Sequence, residues 1–176
     1  TNNFNSADNR VELTIEQKQN FKNVPLYELP LEIDVYENGK ATRHHITVTE
    51  AKQTFKFKTS GKPQLVNFDA ERQLLAEITY KKSLEEYVFQ YKNAPLYSDR
   101  AEAIKELYKE VSKSDAAYQT IKWAAENDKY HRLRQTAIAN LNSSAKEKEA
   151  DLKPLMIKIF QMDKKTTTRA EALEFL

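Results

Sequence analysis

Arg-x-x-Ala-(Ile/Leu)-x-x-Leu occurs three times in the second half of this chain, at nearly constant spacing. The copies are Arg100/Ala103/Ile104/Leu107, Arg134/Ala137/Ile138/Leu141 and Arg169/Ala172/Leu173/Leu176, with successive arginines 34 and 35 residues apart. Offsets of three, four and seven put Ala, Ile or Leu, and Leu on one face of a helix. A period of that length holds two short helices and two turns, the unit of an α-solenoid, in which each repeat buries its apolar face against its neighbours. One Arg per repeat at constant register suggests a ladder that caps carbonyls or pairs with acidic residues, a structural role before a ligand-binding one. The third copy ends at Leu176, and the chain opens Thr1-Asn2-Asn3-Phe4 without an initiator Met. The expectation is therefore a piece of a longer polypeptide, with the Leu173/Leu176 stripe left partly exposed.

Before the repeats the apolar period is two. Val11, Leu13 and Ile15 alternate with Glu12, Thr14 and Glu16, and Leu29, Leu31, Ile33 and Val35 with Pro30, Glu32 and Asp34. Asn38-Gly39 between that run and Arg43 to Thr49 is a hairpin signal. Phe55 and Phe57 alternate with lysines, Leu65 to Phe68 follows the Ser60-Gly61-Lys62-Pro63 break, and Leu74 to Ile78 is expected to be the last strand. Six or seven short strands without a helix suggest an antiparallel sandwich. Ser83-Leu84-Glu85-Glu86 then reads as a capping box that opens the first helix, which Pro95 stops. Further helices are expected at about 99–112, 115–127, 129–141, 153–162 and from 168 onward. Ser114 or Asp115 should cap the 115–127 helix, Asp151 with Pro154 in the first turn suits the start of the 153–162 helix, and Thr168 to Glu171 forms a second capping box. This gives two domains, 1–81 and 82–176, joined at Lys81-Lys82.

Composition narrows the chemistry. With 28 Lys and Arg against 26 Asp and Glu the net charge is +2, and no like-charge run stands out, so a nucleic acid is a poor partner. No apolar stretch is long enough for a membrane span or a signal peptide. Zero Cys excludes disulfides, thiolate metal sites and thiol catalysis, and two isolated glycines cannot build a phosphate-cradling loop. His44 and His45 are neighbours on an expected strand and point to opposite faces, while His131 stands alone near a helix start. No His-Glu-x-x-His occurs, so none of the three is assigned as a metal ligand or base. Glu85/Glu86 and the acids from Glu147 to Asp151 read as caps and solvated helix faces, and Ser143-Ser144 as a soluble loop. The aromatic residues, Trp123 among them, read as packing. No residue is assigned as catalytic, cofactor-binding or metal-binding.

The order of the signals resembles one family. Leu13-Thr14-Ile15-Glu16-Gln17-x-Gln19, Leu29-Pro30-Leu31-Glu32-Ile33 and Pro63-Gln64-Leu65-Val66-Asn67-Phe68-Asp69 are similar to the sandwich domain of aminopeptidase-N-type zinc peptidases. Leu74-Leu75-Ala76-Glu77-Ile78, Lys82-Ser83-x-Glu85-Glu86, Gln90 and Asp99-Arg100-x-x-Ala103-Ile104-x-x-Leu107 resemble the start of that family's C-terminal helical domain. The resemblance implies an α+β chain: an Ig-like antiparallel β-sandwich, then a HEAT-like α-helical solenoid fragment. The family's zinc motif and its Gly-x-Met-Glu-Asn substrate-amine motif are both absent, so no catalytic or zinc role is carried over.

The resemblance implies a non-catalytic C-terminal portion of an aminopeptidase, a spacer followed by helices that cover the cleft. No cofactor is expected in this chain. Zinc belongs in the parent's catalytic domain, which would be this chain's partner and would act on peptides. The alternative is a stand-alone or scaffold-type interaction module, with no peptidase activity.

Overall fold

The computed structural model describes residues 1–144 and 146–176. It is mixed α+β, and falls into two compact units, Thr1–Glu86 and Tyr87–Leu176.

The first unit holds six strands: β1 (Asn2–Asn5), β2 (Arg10–Glu16), β3 (Leu29–Glu37), β4 (Lys40–Val48), β5 (Lys52–Lys58) and β6 (Leu65–Phe68). They form two antiparallel three-stranded sheets of order β1-β2-β5 and β4-β3-β6. Alternation gives each strand one apolar face. Val11, Leu13 and Phe57 from one sheet share a core cluster with Leu31, Ile33, Val35, Val48 and Val66 from the other. The chain changes sheets between β2 and β3 through a loop pinned by Gln17. Its side-chain amide donates to the Tyr27 carbonyl at 2.8 Å, and its carbonyl accepts from the Tyr27 and Gln19 nitrogens at 3.2 and 2.9 Å.

Asn38-Gly39 makes the two-residue turn between β3 and β4. Asn38 has φ 49° and Gly39 φ 76°, the left-handed pair that a tight hairpin matched to strand twist requires. Nothing lies within 4 Å of a Cβ at Gly39, so the objection to a side chain is conformational rather than steric. Gly39→Ala is expected to lower the first unit's stability by about 1 kcal/mol, measured by urea denaturation. An unchanged midpoint would mean that the turn relaxes at no cost.

Two elements differ from the sequence expectation. Leu74 to Ile78 is not a strand. Asp69, at φ 51°, turns the chain after β6, and its carboxylate accepts from the Gln73 and Leu74 amides at 2.9 and 3.0 Å, so those donors are taken locally. Leu74 packs against the core, but Leu75 is fully exposed. Conversely, β1 forms from an Asn-rich opening with no apolar alternation. It pairs with β2, the Thr1 ammonium donates to the Thr14 carbonyl at 2.8 Å, and Phe4 packs on the core.

The helices are α1 (Leu84–Asn93), α2 (Tyr97–Tyr108), α3 (Asp115–Asn127), α4 (His131–Ser144), α5 (Glu149–Met162) and α6 (Thr166–Leu173). The first capping box forms as expected: the Ser83 amide donates to Glu86 Oε2 at 2.7 Å and the Glu86 amide to Ser83 Oγ at 3.2 Å. Ser114 caps α3, accepting from the Ala117 amide at 3.3 Å. The other two starts are corrected. Because α5 begins at Glu149, Pro154 is inside it rather than in its first turn. It is exposed and forfeits only the bond to the Ala150 carbonyl, near the helix start, a tolerable loss. Likewise α6 begins at Thr166, so Thr168 is a buried helical residue and not a cap.

The three repeat copies lie on α2, α4 and α6. Ala103, Ile104 and Leu107 are completely buried, as are Ala137, Ile138 and Leu141. In the third copy Ala172 is buried, whereas Leu173 is 53% and Leu176 47% exposed.

Candidate functional site

The repeat arginines build a recurring polar constellation. Each reaches back to the carbonyl just before its own helix: Arg100 Nη1 to Pro95 O at 3.1 Å, Arg134 Nη1 to Asp128 O at 2.7 Å, Arg169 Nη1 to Asp163 O at 2.9 Å. Those carbonyls lie five, six and six residues before their arginines. Two of the arginines also reach forward to a carboxylate in the next joint. Arg100 Nε donates to Asp128 Oδ2 at 3.3 Å, and Arg134 grips Asp163 through Nε and Nη2 at 2.7 and 2.9 Å. Those spans are 28 and 29 residues.

The two aspartates follow one local plan. Asp128 ends α3 and Asp163 ends α5, both extended, with φ −61° and ψ 135° and φ −65° and ψ 138°. Each Oδ1 accepts from the amide two residues on, Tyr130 or Lys165, at 2.8 Å. That Asx turn leads into the next helix. Each residue therefore gives its carboxylate to the arginine before it and its backbone oxygen to the arginine after it. The first rung is reinforced by Tyr91, whose hydroxyl donates to Asp128 Oδ2 at 2.9 Å. Burial, then that bond to an anion, pushes the Tyr91 hydroxyl well above its ordinary pKa, so it stays a donor. The Arg100 guanidinium lies over the Tyr130 ring, 5.1 Å from its centroid.

Burial alone would raise the Asp163 carboxyl pKa. The Arg134 hydrogen bonds, the Lys165 amide and the Arg134 charge outweigh it and hold the pKa below its ordinary value of 3.8. A carboxyl lowered in the folded state stabilises that state above its unfolded pKa and ceases to as pH falls through the folded one. The helical unit should therefore lose stability as pH drops below about 3.8. Asp163→Asn, already lacking the charge, should show a shallower acid dependence in denaturation midpoints taken from neutrality down through the carboxylate range. Parallel profiles for the two proteins would remove the rung from the acid response.

The histidines do not converge. His44 is half-buried, with its ring 4.5 Å from that of Phe57, and burial lowers its pKa, while the exposed His45 contacts Glu32 Oε1 at 3.1 Å. His131 begins α4 and lines an open groove of about 590 Å³ with Tyr97, Arg132, Thr136 and Glu171. There the Thr136 hydroxyl donates to the Arg132 carbonyl rather than to an imidazole, so no nucleophile–base pair is formed. A second hollow of about 480 Å³, lined by Lys92, Trp123 and Lys129, opens beside the Arg100–Asp128 rung.

The acidic clusters serve structure. Glu86 is in the capping box, and Asp151 accepts from Lys122 Nζ at 2.6 Å and the Tyr118 hydroxyl at 2.5 Å. Ser143 and Ser144 belong to α4 and not to a loop. Ser143 Oγ donates to the Asn140 carbonyl at 3.1 Å, and the Ser144 side chain lies outside the described residues. Among the described residues no three His, Cys, Asp or Glu side chains come together as metal ligands, and no helix is long and apolar enough to cross a membrane.

Sequence reasoning identified the arginines but not Asp128 and Asp163. Their signal was present: in the second and third copies an Asp stands six residues before the repeat Arg.

No protein-family model matches this sequence, and no curated protein does. Among solved structures, the chain is similar over its whole length to Legionella pneumophila aminopeptidase A, crystallised in complex with aspartic acid, with a TM-score of 0.70 and 13% identity. The likeness shows a shared fold, and this chain spans 27% of that one.

Proposed function

We propose that this chain is a non-catalytic portion of a longer zinc-dependent aminopeptidase. The first unit is an Ig-like β-sandwich acting as a spacer. The second is the start of a HEAT-like helical domain that covers the cleft of a catalytic domain in the same polypeptide and limits access to peptides. The observation that carries this reading is the likeness of the whole chain to about a quarter of an aminopeptidase structure. The order of the sequence motifs supports it independently, as do two three-stranded sheets sharing one core and repeats built on alternate helices. Zinc and the attacking water belong, on this reading, to the catalytic domain.

The test has two arms. The purified chain should hold no zinc after dialysis and release no p-nitroaniline from an aminoacyl p-nitroanilide. The longer polypeptide that contains it should carry a His-Glu-x-x-His upstream of Thr1 and do both. Zinc or turnover in the isolated chain would sink the non-catalytic assignment. An upstream region with no such motif would favour an interaction module instead.

A further inference from the structure

The sequence holds a single tryptophan, and the packing role expected of it is only half filled: Trp123 is 54% exposed. The α3 positions that pack inward include Ile121, Ala124 and Ala125, and the indole falls outside that stripe. Tyr91 meets it in an edge contact, with ring centroids 6.1 Å apart and planes at 74°. Tyr91 is itself fixed by its hydroxyl to Asp128 Oδ2, so the first arginine rung also holds the indole in place. With Ala94 and Pro95 these rings wall the hollow of about 480 Å³, a volume common for ligand sites. Its charge is one-sided. Lys92, in the last turn of α1, and Lys129, in the joint between α3 and α4, line it and are exposed. Among the described residues neither lysine forms a hydrogen bond or an ion pair. The acid in the lining, Asp128, is buried and already accepts from Arg100, Tyr91 and the Tyr130 amide. Arg100 Nη2 is buried without an acceptor, so that guanidinium adds to the positive field without itself meeting a ligand.

We propose that this hollow is a docking site for an acidic peptide segment, which lays an apolar side chain against the Trp123 indole and sets carboxylates on Lys92 and Lys129. An indole held by its neighbours offers a large apolar surface at little ordering cost, which is what anchors a side chain. Three cations against one engaged carboxylate give the site its sign: acidic segments are drawn in and basic ones repelled. The two lysines come from separate elements, so the matching ligand carries acids on either side of its apolar residue. The dipoles of α1 and α3 favour a lysine near each helix end, but they do not account for a half-open indole beside them. A nucleic acid fits less well, because a phosphate backbone needs cations clustered along its path, and this chain's +2 charge is dispersed. The whole site lies within the helical unit and uses no metal.

As the sole tryptophan, Trp123 reports on its own site when excited beyond the tyrosine band. The probe is the pentapeptide Asp-Glu-Phe-Glu-Asp, acetylated and amidated so that neither terminus takes part. Titrated into the 176-residue chain, it should change the emission saturably, and added salt should weaken it. The uncharged analogue Asn-Gln-Phe-Gln-Asn should bind about tenfold more weakly, as should the acidic peptide to the double variant Lys92→Gln, Lys129→Gln. Both lysines are exposed, so that variant should keep the parent's circular dichroism and denaturation midpoint. Trp123→Ala, followed by the anisotropy of a labelled peptide, should bind more weakly still. No saturable change up to about 1 mM peptide would overturn the site. Equal affinity for the uncharged peptide, or a loss under about twofold in the lysine variant, would overturn the charge requirement and with it the proposal. Tighter binding of a single-stranded oligouridylate than of the peptide would make a nucleic acid the occupant and overturn the peptide assignment. None of these outcomes depends on zinc or turnover, so the tests of the aminopeptidase reading can fail or succeed separately.

Discussion

Arg134→Ala should destabilise the helical unit by about 3 kcal/mol or more, the cost of leaving a largely buried carboxylate without its partner. The Arg134 and Asp163 side chains are 12% and 8% exposed, and the contact is a two-pronged fork at 2.7 and 2.9 Å. The same change also strips the Asp128 carbonyl of its donor. A typical domain is stable by only about 5–15 kcal/mol, so a loss of this size should be plain in a chemical denaturation curve. Asp163→Ala should lose a similar amount, and the double variant well under the sum, since the second deletion removes the orphan left by the first. A loss below about 1 kcal/mol for Arg134→Ala would place the fork among solvated surface pairs.

The second large effect is a contrast between equivalent positions. Ile138→Ala removes a completely buried side chain from the middle copy and should cost about 2–5 kcal/mol through lost burial and a residual cavity. Leu173→Ala makes an almost identical change at the matching place in the third copy. That side chain is 53% exposed, so the cost should stay under about 1 kcal/mol. Thermal denaturation of the two variants beside the parent protein decides it. Equal losses would mean that Leu173 is covered in solution, by self-association or by a rearranged end.

What could be read from the sequence was what is written locally. The Ser83–Glu86 box, the Asn38-Gly39 turn and the Ser114 cap involve residues at most three apart, and each formed as its chemistry dictates. Apolar periodicity placed five of the strands and all six helices, because a buried face must recur at the pitch of its element. It failed where another force governed. β1 is held by ladder hydrogen bonds from an Asn-rich segment, with only Phe4 reaching the core. Leu74 to Ile78 has strand-like residues, but its first amides are captured by Asp69.

The arginine ladder was half legible. Repetition marked the arginines, but their carboxylate partners lie 28 and 29 residues away, and many acids compete at that range. Only the paired Asp-to-Arg spacing of six in two copies distinguished the right ones. The start of α6 was misplaced because the turn before it is set by Asp163, which is bound to Arg134 and also accepts the Lys165 amide, while the Thr168 box that signalled a start lies inside the helix.

The doubled use of Asp128 and Asp163 dictates where this architecture can change length. Arg134 and Arg169 each find a backbone oxygen six residues behind them, so one residue inserted between Asp128 and Arg134, or between Asp163 and Arg169, rotates the guanidinium off its carbonyl. The stretch from Lys109 to Lys113 contributes nothing to either rung. Evolutionary drift in loop length should therefore be lopsided: the connections carrying Asp128 and Asp163 should hold their size more strictly than the one from Lys109 to Lys113.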